Sequence, residues 1–190
     1  VLIISINSNA SGTYYDVCER MLRLANEIDL EPNAYVFTAC VSQPGFIGDL
    51  GYLGNFILGA VQWDSLMEFH CQITGWTPAE YAAIYRQRYQ LEPTYQATAC
   101  LGAMLAWMYS VEKLHSTNSL DVAFRLAKIE LETVYGIISF DENNMYNGQP
   151  AYLQHLNYTK AIVQPESLAV APMIYPMPTW SQQECVAANG

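Results

Sequence analysis

A nearly continuous apolar run at the start of the chain limits the possible folds more than any other feature. Residues 1–6 read VLIISI, and the run stops at the polar tripeptide 7–9. A strand with one face in water alternates apolar and polar residues, whereas a parallel strand covered on both faces is apolar almost throughout. Apolar residues at spacings of three and four follow, a pattern typical of an amphipathic helix. A buried parallel strand followed by a helix predicts an α/β fold.

The alternation of strand and helix patterns continues along the chain. Further strands are predicted at 34–38, 55–63, 137–140 and 152–163. Further helices are predicted from the cap residue Thr77 to about Tyr89, from Thr94 to about Leu114 and from about Ser119. Strands that alternate with helices predict a mostly parallel sheet with helices on both faces.

Several helices carry signals for their ends or for their buried sides. In the tetrapeptide 77–80 (TPAE), Thr77 and Glu80 form a capping box, and Pro78 suits the first helical position. Asn118 is the predicted cap of the last helix. Apolar stripes predict the core-facing residues of two helices, namely Tyr14, Val17, Met21, Leu24 and Ile28 in the first and Leu120, Ala123, Phe124 and Ala127 in the last.

The charge of the chain excludes two classes of function. It carries 18 acidic and 8 basic residues, a net charge of −10, and it has no basic run. Nucleic acids and anionic membrane surfaces attract basic proteins, so neither is a predicted partner. The longest apolar stretch, residues 97–111, is shorter than the roughly 20 residues that span a bilayer, so no membrane insertion of this chain is predicted.

The cysteines and the N-glycosylation sequons are the features that relate to the cellular compartment of the protein. The five cysteines are Cys18, Cys40, Cys71, Cys100 and Cys185. They form no C-x-x-C pair, so their spacing favours neither a zinc site nor a redox motif. Cys18 and Cys100 fall in helical patterns and are interpreted as small core residues rather than as disulfide halves. Asn9 and Asn157 begin N-x-[ST] tripeptides and are glycosylation candidates in a secreted protein.

Polar side chains follow three of the predicted strands, where a ligand site is expected. In an open α/β sheet, ligands bind beyond the carboxyl ends of the strands. The residues at those ends are Ser5, Asn7, Ser8 and Asn9; Thr38, Cys40 and Ser42; and Gln62, Trp63 and Asp64. This mostly uncharged set suits a small polar solute. The alternative is ordinary polar loops, which fits Trp63 least, because a large ring at a strand end needs a partner surface.

Signatures of catalysis and of metal binding are lacking in the sequence. It contains no G-x-S-x-G, G-x-G-x-x-G or Walker motif, and its three histidines are isolated. No catalytic residue, metal site or cofactor is therefore predicted. Tyr81, Tyr85 and Tyr89 form a helical stripe that either packs on the sheet or meets another chain.

Several segments carry a resemblance to a known family. The segment 133–143 (TVYGIISFDEN) and the tail 175–180 (YPMPTW) resemble the end of the second lobe of the type 1 periplasmic binding proteins. Segments 77–81 (TPAEY) and 93–97 (PTYQA) are similar to a helix of that family and to the start of its long helix. The likeness is strongest to binders of amides, urea and branched-chain amino acids.

The resemblance implies a domain organisation and a set of ligand contacts. Residues 1–164 would be an α/β lobe that lacks its first strand and helix, and 165–190 a Pro-rich extended segment. The implied ligand-binding residues are Asn7, Ser8, Thr38, Cys40 and, as further candidates, Trp63 and Tyr95. Family members that bind amino acids place an acidic residue at the second strand end, whereas residues 38–41 read TACV. An uncharged or amide-like ligand is therefore favoured.

The implied function is that of a non-catalytic solute-binding lobe in an extracellular or periplasmic receptor or transport protein. Such a protein closes two lobes about a hinge when its ligand favours the closed state. The implied partners are a small polar solute and the missing first lobe of the same protein, with a second copy of the chain as a further option. Two alternatives stay open: a structural or filament-forming assembly protein that keeps the fold without a ligand, and an enzyme.

Overall fold

The computed structural model describes residues 2–4, 14–148, 151–156 and 159–163. In chain order, their elements are β1 (Leu2–Ile4), α1 (Tyr14–Glu27), β2 (Tyr35–Phe37), α2 (Phe46–Leu50), a 3₁₀ turn (Gly51–Gly54), β3 (Leu58–Val61), α3 (Pro78–Tyr89), α4 (Tyr95–Leu114), α5 (Ser119–Leu126), β4 (Glu130–Thr133), β5 (Gly136–Ser139), β6 (Ala151–Leu156) and β7 (Thr159–Val163). The predicted strands and helices are present with shorter strands, but two predictions are corrected. The predicted strand 152–163 is two antiparallel strands, β6 and β7, and β4 is an additional strand.

The chain divides into two compact units. The first is Val1–Gln62 with Pro150–Gly190, and the second is Trp63–Gln149. The sequence predicts one lobe over residues 1–164. Within the second unit, residues 63–148 build a core of their own from three helices and a hairpin. The organisation into one lobe stays a prediction.

The first unit is built on a five-stranded sheet in the order β1-β2-β3-β6-β7. Strands β1, β2 and β3 are parallel to one another. Strand β6 is antiparallel to β3, and β7 is antiparallel to β6. Because two reversals restore the direction, four of the five strands point the same way. The predicted α/β fold with a mostly parallel sheet is confirmed.

Helix α1 buries a different side from the one that its apolar stripe predicts. The buried residues are Cys18, Leu22 and Ala25. Members of the predicted stripe, such as Leu24 and Ile28, are exposed. The prediction was wrong because apolar residues occupy more than one side of this helix, so spacing alone does not identify the side that meets the core.

A disulfide joins Cys18 of α1 to Cys40, three residues beyond β2. The two Cα atoms are 6.5 Å apart. The interpretation of Cys18 as an unpaired core residue was therefore wrong, and Cys100, which was also assigned to the core, is exposed on α4. The sequence does not predict this pair. A disulfide requires two cysteines that lie close together in the fold, and their spacing along the chain does not show whether they do.

Helices α3 and α4 begin where the sequence predicts. Thr77 Oγ1 accepts a hydrogen bond from Glu80 N (3.2 Å), and Glu80 Oε2 accepts one from Thr77 N (2.8 Å). The bonds from Thr77, first from its backbone N–H, hold the pKa of the Glu80 carboxyl below its ordinary value. Thr94 Oγ1 accepts from Ala97 N (3.3 Å) at the start of α4. The predicted capping box is confirmed, and each cap satisfies an N–H that the helix start leaves without an intrahelical partner.

The core of the second unit lies between α4 and a two-stranded hairpin. Strands β4 and β5 pair antiparallel, with Thr133 opposite Gly136 at the turn. The buried core residues are Ala106, Ile129, Leu131 and Ile138, surrounded by the partly buried Tyr109, Leu126, Tyr135 and Phe140. Residues 130–133 form β4, a strand that is not among those predicted from the sequence. In that strand, Glu132 Oε1 accepts a hydrogen bond from His70 N (2.8 Å).

Helix α5 also turns its predicted inner stripe outward. Leu120 and Phe124 expose 68% and 70% of their surface, whereas Val122 is buried. Asn118 caps the helix as predicted. The inner side was assigned wrongly because this short helix buries only the narrow strip around Val122 and Leu126, on the side away from its larger apolar residues.

Candidate functional site

The first unit holds two predicted ligand residues in the loop after β2. Thr38 comes directly after the strand and is exposed. Cys40 is buried, has a φ of 80°, and has its sulfur bonded to Cys18. Position 40 therefore offers a ligand no thiol, and its backbone carbonyl already accepts a hydrogen bond from Gln43 N (2.8 Å). Thr38 supplies the hydroxyl at this strand end.

Contacts with β3 and β6 fix the course of this loop. Val41 lies directly over Gly59, where an added Cβ would be 2.2 Å from Val41 Cγ2, so only glycine permits this approach. His155 of β6 donates from Nε2 to Val41 O over 2.9 Å, in the tautomer that carries its proton there, and its ring stacks on Phe46 with centroids 5.1 Å apart. The sequence treats His155 as isolated. Only the pairing of β6 with β3 brings it to the loop.

Trp63 lies in the second unit and is buried. Its Nε1–H donates to Val134 O over 2.7 Å, which ties the ring to the turn of the hairpin. Its ring also meets Tyr81 edge to face, with centroids 5.9 Å apart. The partner surface that this large ring requires is thus the hairpin turn together with α3.

The tyrosine stripe of α3 runs outward from Trp63. Ring centroids are 5.9 Å apart between Tyr81 and Tyr85, and 4.6 Å apart between Tyr85 and Tyr89. Tyr81 is buried, whereas Tyr89 is exposed beside the guanidinium of Arg88. The inner end of the stripe packs on Trp63 rather than on the sheet that the sequence predicts, and Tyr89 at the outer end is exposed.

Three tyrosines, here called the tyrosine cluster, gather at the same hairpin turn: Tyr95, Tyr135 and Tyr146. The rings of Tyr135 and Tyr146 are 6.1 Å apart between centroids. Burial raises the pKa of Tyr135, and the neighbouring Tyr95 phenol raises it further. Burial also raises the pKa of Tyr146, with Tyr135 as a second cause. These phenols therefore stay neutral at ordinary pH, where each can both donate and accept a hydrogen bond.

Glycine at the hairpin turn makes this arrangement possible. Gly136 has a φ of 136°, a backbone conformation that side chains rarely adopt, and an added Cβ would lie 3.5 Å from the ring of Phe69. The sequence did not predict Tyr135 or Tyr146 as candidate site residues. Tyr135 had a usable signal, its place beside Gly136 in the segment 133–143, whereas Tyr146 had none.

The structure sorts the predicted ligand residues into separate groups. Thr38 and Cys40 share the loop after β2. Trp63 contacts the hairpin turn directly, and Tyr95 reaches it through Tyr135. Outside the described residues lie Asn7, Ser8, the sequons at Asn9 and Asn157, Cys185 and the segment 165–190.

The loop after β2 offers the hydroxyl of Thr38, and the second group offers phenol hydroxyls and aromatic rings. Within the described ranges, no set of three His, Cys, Asp or Glu side chains is close enough to hold a metal ion. No helix in the described part of the chain has the length and apolar character needed to cross a bilayer. Hydrogen-bonding groups beside rings are what a site for a small polar molecule requires.

Solved structures of bacterial binding proteins share this fold, although no family model matches the chain. The leucine binding protein LivK from Thermotoga maritima superposes with a TM-score of 0.64 at 16% identity, over 87% of this chain and 45% of its own. LivJ of Streptococcus pneumoniae, a branched-chain amino acid transporter substrate binding protein in complex with isoleucine, gives 0.63 at 15% identity, over 86% and 44%. A solute binding protein from R. palustris in complex with benzoate gives 0.51 at 10% identity, over 86% and 49%.

This chain spans less than half the length of those three proteins. At identities of 10 to 16%, the likeness establishes the fold and leaves the activity to be argued from the residues. The expectation raised by the segment 133–143 is confirmed at that level. The chain has the fold of part of a type 1 periplasmic binding protein.

Proposed function

We propose that this chain is part of a non-catalytic receptor or transport protein that binds a small polar solute. The observation that carries the proposal is the likeness to solute-binding proteins over at least 86% of the chain. A fold alone does not determine function. The loop after β2 and the tyrosine cluster supply the chemistry that the proposal needs.

The residues favour an uncharged or amide-like solute. In the first unit, Thr38 offers an exposed hydroxyl. In the second unit, taken by itself, the tyrosine cluster offers phenol hydroxyls and ring faces. A ligand ammonium group would call for a carboxylate, and residues 38–41 (TACV) contain none. Amides and urea therefore suit these groups better than a free amino acid.

The mechanism of such a receptor is closure of two lobes around the solute. Contacts made only in the closed state would shift the population toward it by the difference in affinity between the two states. The disulfide between Cys18 and Cys40 supports an extracellular or periplasmic location, because such bonds persist in oxidising compartments.

A thermal-shift screen of the full-length protein tests this function. The compounds would be amides, urea, amino acids and polyamines, each in large excess. A ligand at 100 times its Kd should stabilise the folded protein by about 2.7 kcal/mol. Thr38→Ala should reduce the shift because it removes the exposed hydroxyl at the strand end, whereas Asn33→Ala, an exposed polar change before the same strand, should leave the shift unchanged.

Tyr95→Phe extends the same screen to the second unit. It removes one phenol of the tyrosine cluster and keeps the ring, so a lost shift would assign the hydroxyl to the ligand. A folded protein that no compound stabilises would contradict the receptor function. The structural or assembly alternative would then be favoured, with self-association measured by light scattering.

A further inference from the structure

The loop that follows β5 ends in the dipeptide Asn147-Gly148. Phe140 and Tyr146 pair across this loop, and Asn147 N donates a hydrogen bond to Ser139 O (2.9 Å) just beyond that pair. Asn147 and Gly148 are both exposed. An asparagine before a glycine is the pair in which the side-chain amide most readily reaches the following main-chain nitrogen, because glycine has no Cβ in the way.

Such a pair can convert its amide into a carboxylate without an enzyme. The main-chain nitrogen of the following residue bonds to the Cγ of the asparagine, the Cγ–Nδ2 bond breaks, and the amide group leaves as ammonia with the proton of the attacking nitrogen. Water then opens the cyclic imide and gives either an aspartyl residue or an isoaspartyl residue, whose main chain is longer by a methylene. Nothing is oxidised or reduced. The first step requires an attacking N–H that no acceptor holds.

Two other asparagines of the same loop do not meet this requirement. Asn143 is followed by Asn144, whose N–H donates to Asp141 O (2.9 Å). Asn144 is followed by Met145, whose N–H donates to Asp141 Oδ1 (2.8 Å). Each attacking nitrogen is therefore held by Asp141, and its reaction requires that hydrogen bond to break first.

Asn147 does meet the requirement. Among the described residues, neither its side-chain amide nor the N–H of Gly148 has a hydrogen-bond partner. Packing also keeps a glycine at the reactive position, because a Cβ added to Gly148 would overlap the ring of Tyr146. A side chain that slowed the reaction would therefore displace a member of the tyrosine cluster. The chain has one other Asn-Gly pair, residues 189–190, which lies outside the described residues.

We propose that Asn147 is a site of spontaneous deamidation in the folded protein. The reaction adds a carboxylate one residue after Tyr146, in a chain whose net charge is already −10. The isoaspartyl product also lengthens the main chain before Gly148, so it changes the spacing on which the contact of Gly148 with Tyr146 depends. The site goes beyond solute binding and requires no ligand.

Peptide mass spectrometry of the full-length protein, kept folded at mildly alkaline pH, measures the reaction. Each conversion raises the mass of the peptide by about 1 Da, and fragment ions assign the change to one asparagine. We expect Asn147 to convert at nearly the same rate in the folded protein and in denaturant. Asn143 and Asn144 are controls within the same loop. Each should convert about 2- to 10-fold more slowly in the folded protein, which is the effect of one hydrogen bond on the attacking N–H.

Two results would overturn the proposal. A rate at Asn147 that falls on folding as much as the rates at Asn143 and Asn144 would mean that the fold protects all three. Equal rates at the three residues in the folded protein would mean that the hydrogen bonds of the loop do not set their reactivity. The variant Asn147→Gln keeps an amide but lengthens the side chain, so the mass gain at position 147 should disappear, whereas Asn143→Gln should leave the rate at Asn147 unchanged. A gain at position 147 that persists at the same rate in Asn147→Gln would also contradict the mechanism.

Discussion

Helix α4 is unlike an ordinary amphipathic helix, because large apolar residues lie on its exposed side and mostly small residues on its buried side. Four of the five buried residues of α4 are small, namely Thr98, Gly102, Ala106 and Ser110, and the fifth is Leu105. On the outer side, Cys100, Met104, Trp107 and Met108 are exposed. An added Cβ at Gly102 would lie only 3.2 Å from Tyr135 Cβ, so the hairpin comes very close on the inner side. The lack of a side chain at Gly102 therefore lets the hairpin approach α4 this closely.

Two of the buried residues on the inner side of α4 carry hydroxyl groups. Thr98 Oγ1 donates to Thr94 O (3.0 Å), and Ser110 Oγ donates to Ala106 O (2.8 Å). Each hydroxyl thus bonds one turn back along its own helix, and its burial leaves no polar group unsatisfied. Small polar residues can for this reason line a core as well as small apolar ones.

The largest expected effect comes from opening a cavity opposite the inner side of α4. Leu131 is fully buried in the core of the second unit, so Leu131→Ala should lower the free energy of unfolding by about 2 to 5 kcal/mol. Leu91→Ala makes the same chemical change at a residue that is 66% exposed, and it should cost within about 0.5 kcal/mol. Urea unfolding of both variants measures the contrast, and equal losses would contradict the assignment of the core.

A change at Gly102 tests whether the lack of a side chain there lets the hairpin approach α4. Gly102→Leu would drive a branched side chain into Tyr135 and should lower the free energy of unfolding by about 1 to 3 kcal/mol, despite the better helix propensity of leucine. Gln87→Leu on the exposed side of α3 is the control and should have little effect. Thermal unfolding compares the two. A stabilised Gly102→Leu protein would show that the hairpin can move away without cost.

The smallest effect is expected at Tyr35 of β2, which is hydrogen-bonded to the segment after α1. Its hydroxyl donates to Leu30 O over 2.6 Å, so Tyr35→Phe should lower the free energy of unfolding by about 1 kcal/mol at neutral pH. Burial, and then the negative charge of Glu31, raises the pKa of Tyr35 to about 12. The folded protein therefore holds this proton more tightly than the unfolded chain, whose tyrosine pKa is about 10.

The raised pKa of Tyr35 makes part of the free energy of unfolding depend on pH. The contribution of Tyr35 to stability is complete below about pH 10 and is lost as the pH rises toward 12. Tyr35→Phe should flatten the decline in the free energy of unfolding over this range. Denaturant titrations at several alkaline pH values, beside a phenolate absorbance titration, would measure it. An equally steep decline in both proteins would contradict the burial of Tyr35.

Much of the local structure could be predicted, because it depends on neighbours in sequence. The start of α3 at Thr77 and that of α4 at Thr94 both follow from cap residues that bond to N–H groups three residues away. The buried sides of α1 and α5 could not be predicted in this way. Both helices have apolar residues on more than one side, and only the element packed against each helix selects the side that is buried.

Some features of the candidate site could likewise be predicted from the sequence, and others could not. Thr38 follows from the rule that ligands bind at strand ends, and the hairpin segment 133–143 follows from its resemblance to a family. The contacts of His155 with Val41 and of Trp63 with Val134 join residues distant in sequence, and no local pattern signals them.

By itself, the sequence determined the α/β class, most of the order of the elements, the starts of α3, α4 and α5, and the acidic character of the chain. These properties depend on composition and on hydrogen bonds between near neighbours. Only the tertiary structure decided the disulfide between Cys18 and Cys40, the division into two units and the inward side of each helix. The physical reason is that burial and disulfide formation depend on distances in space, and those distances exist only once the strands and helices have packed.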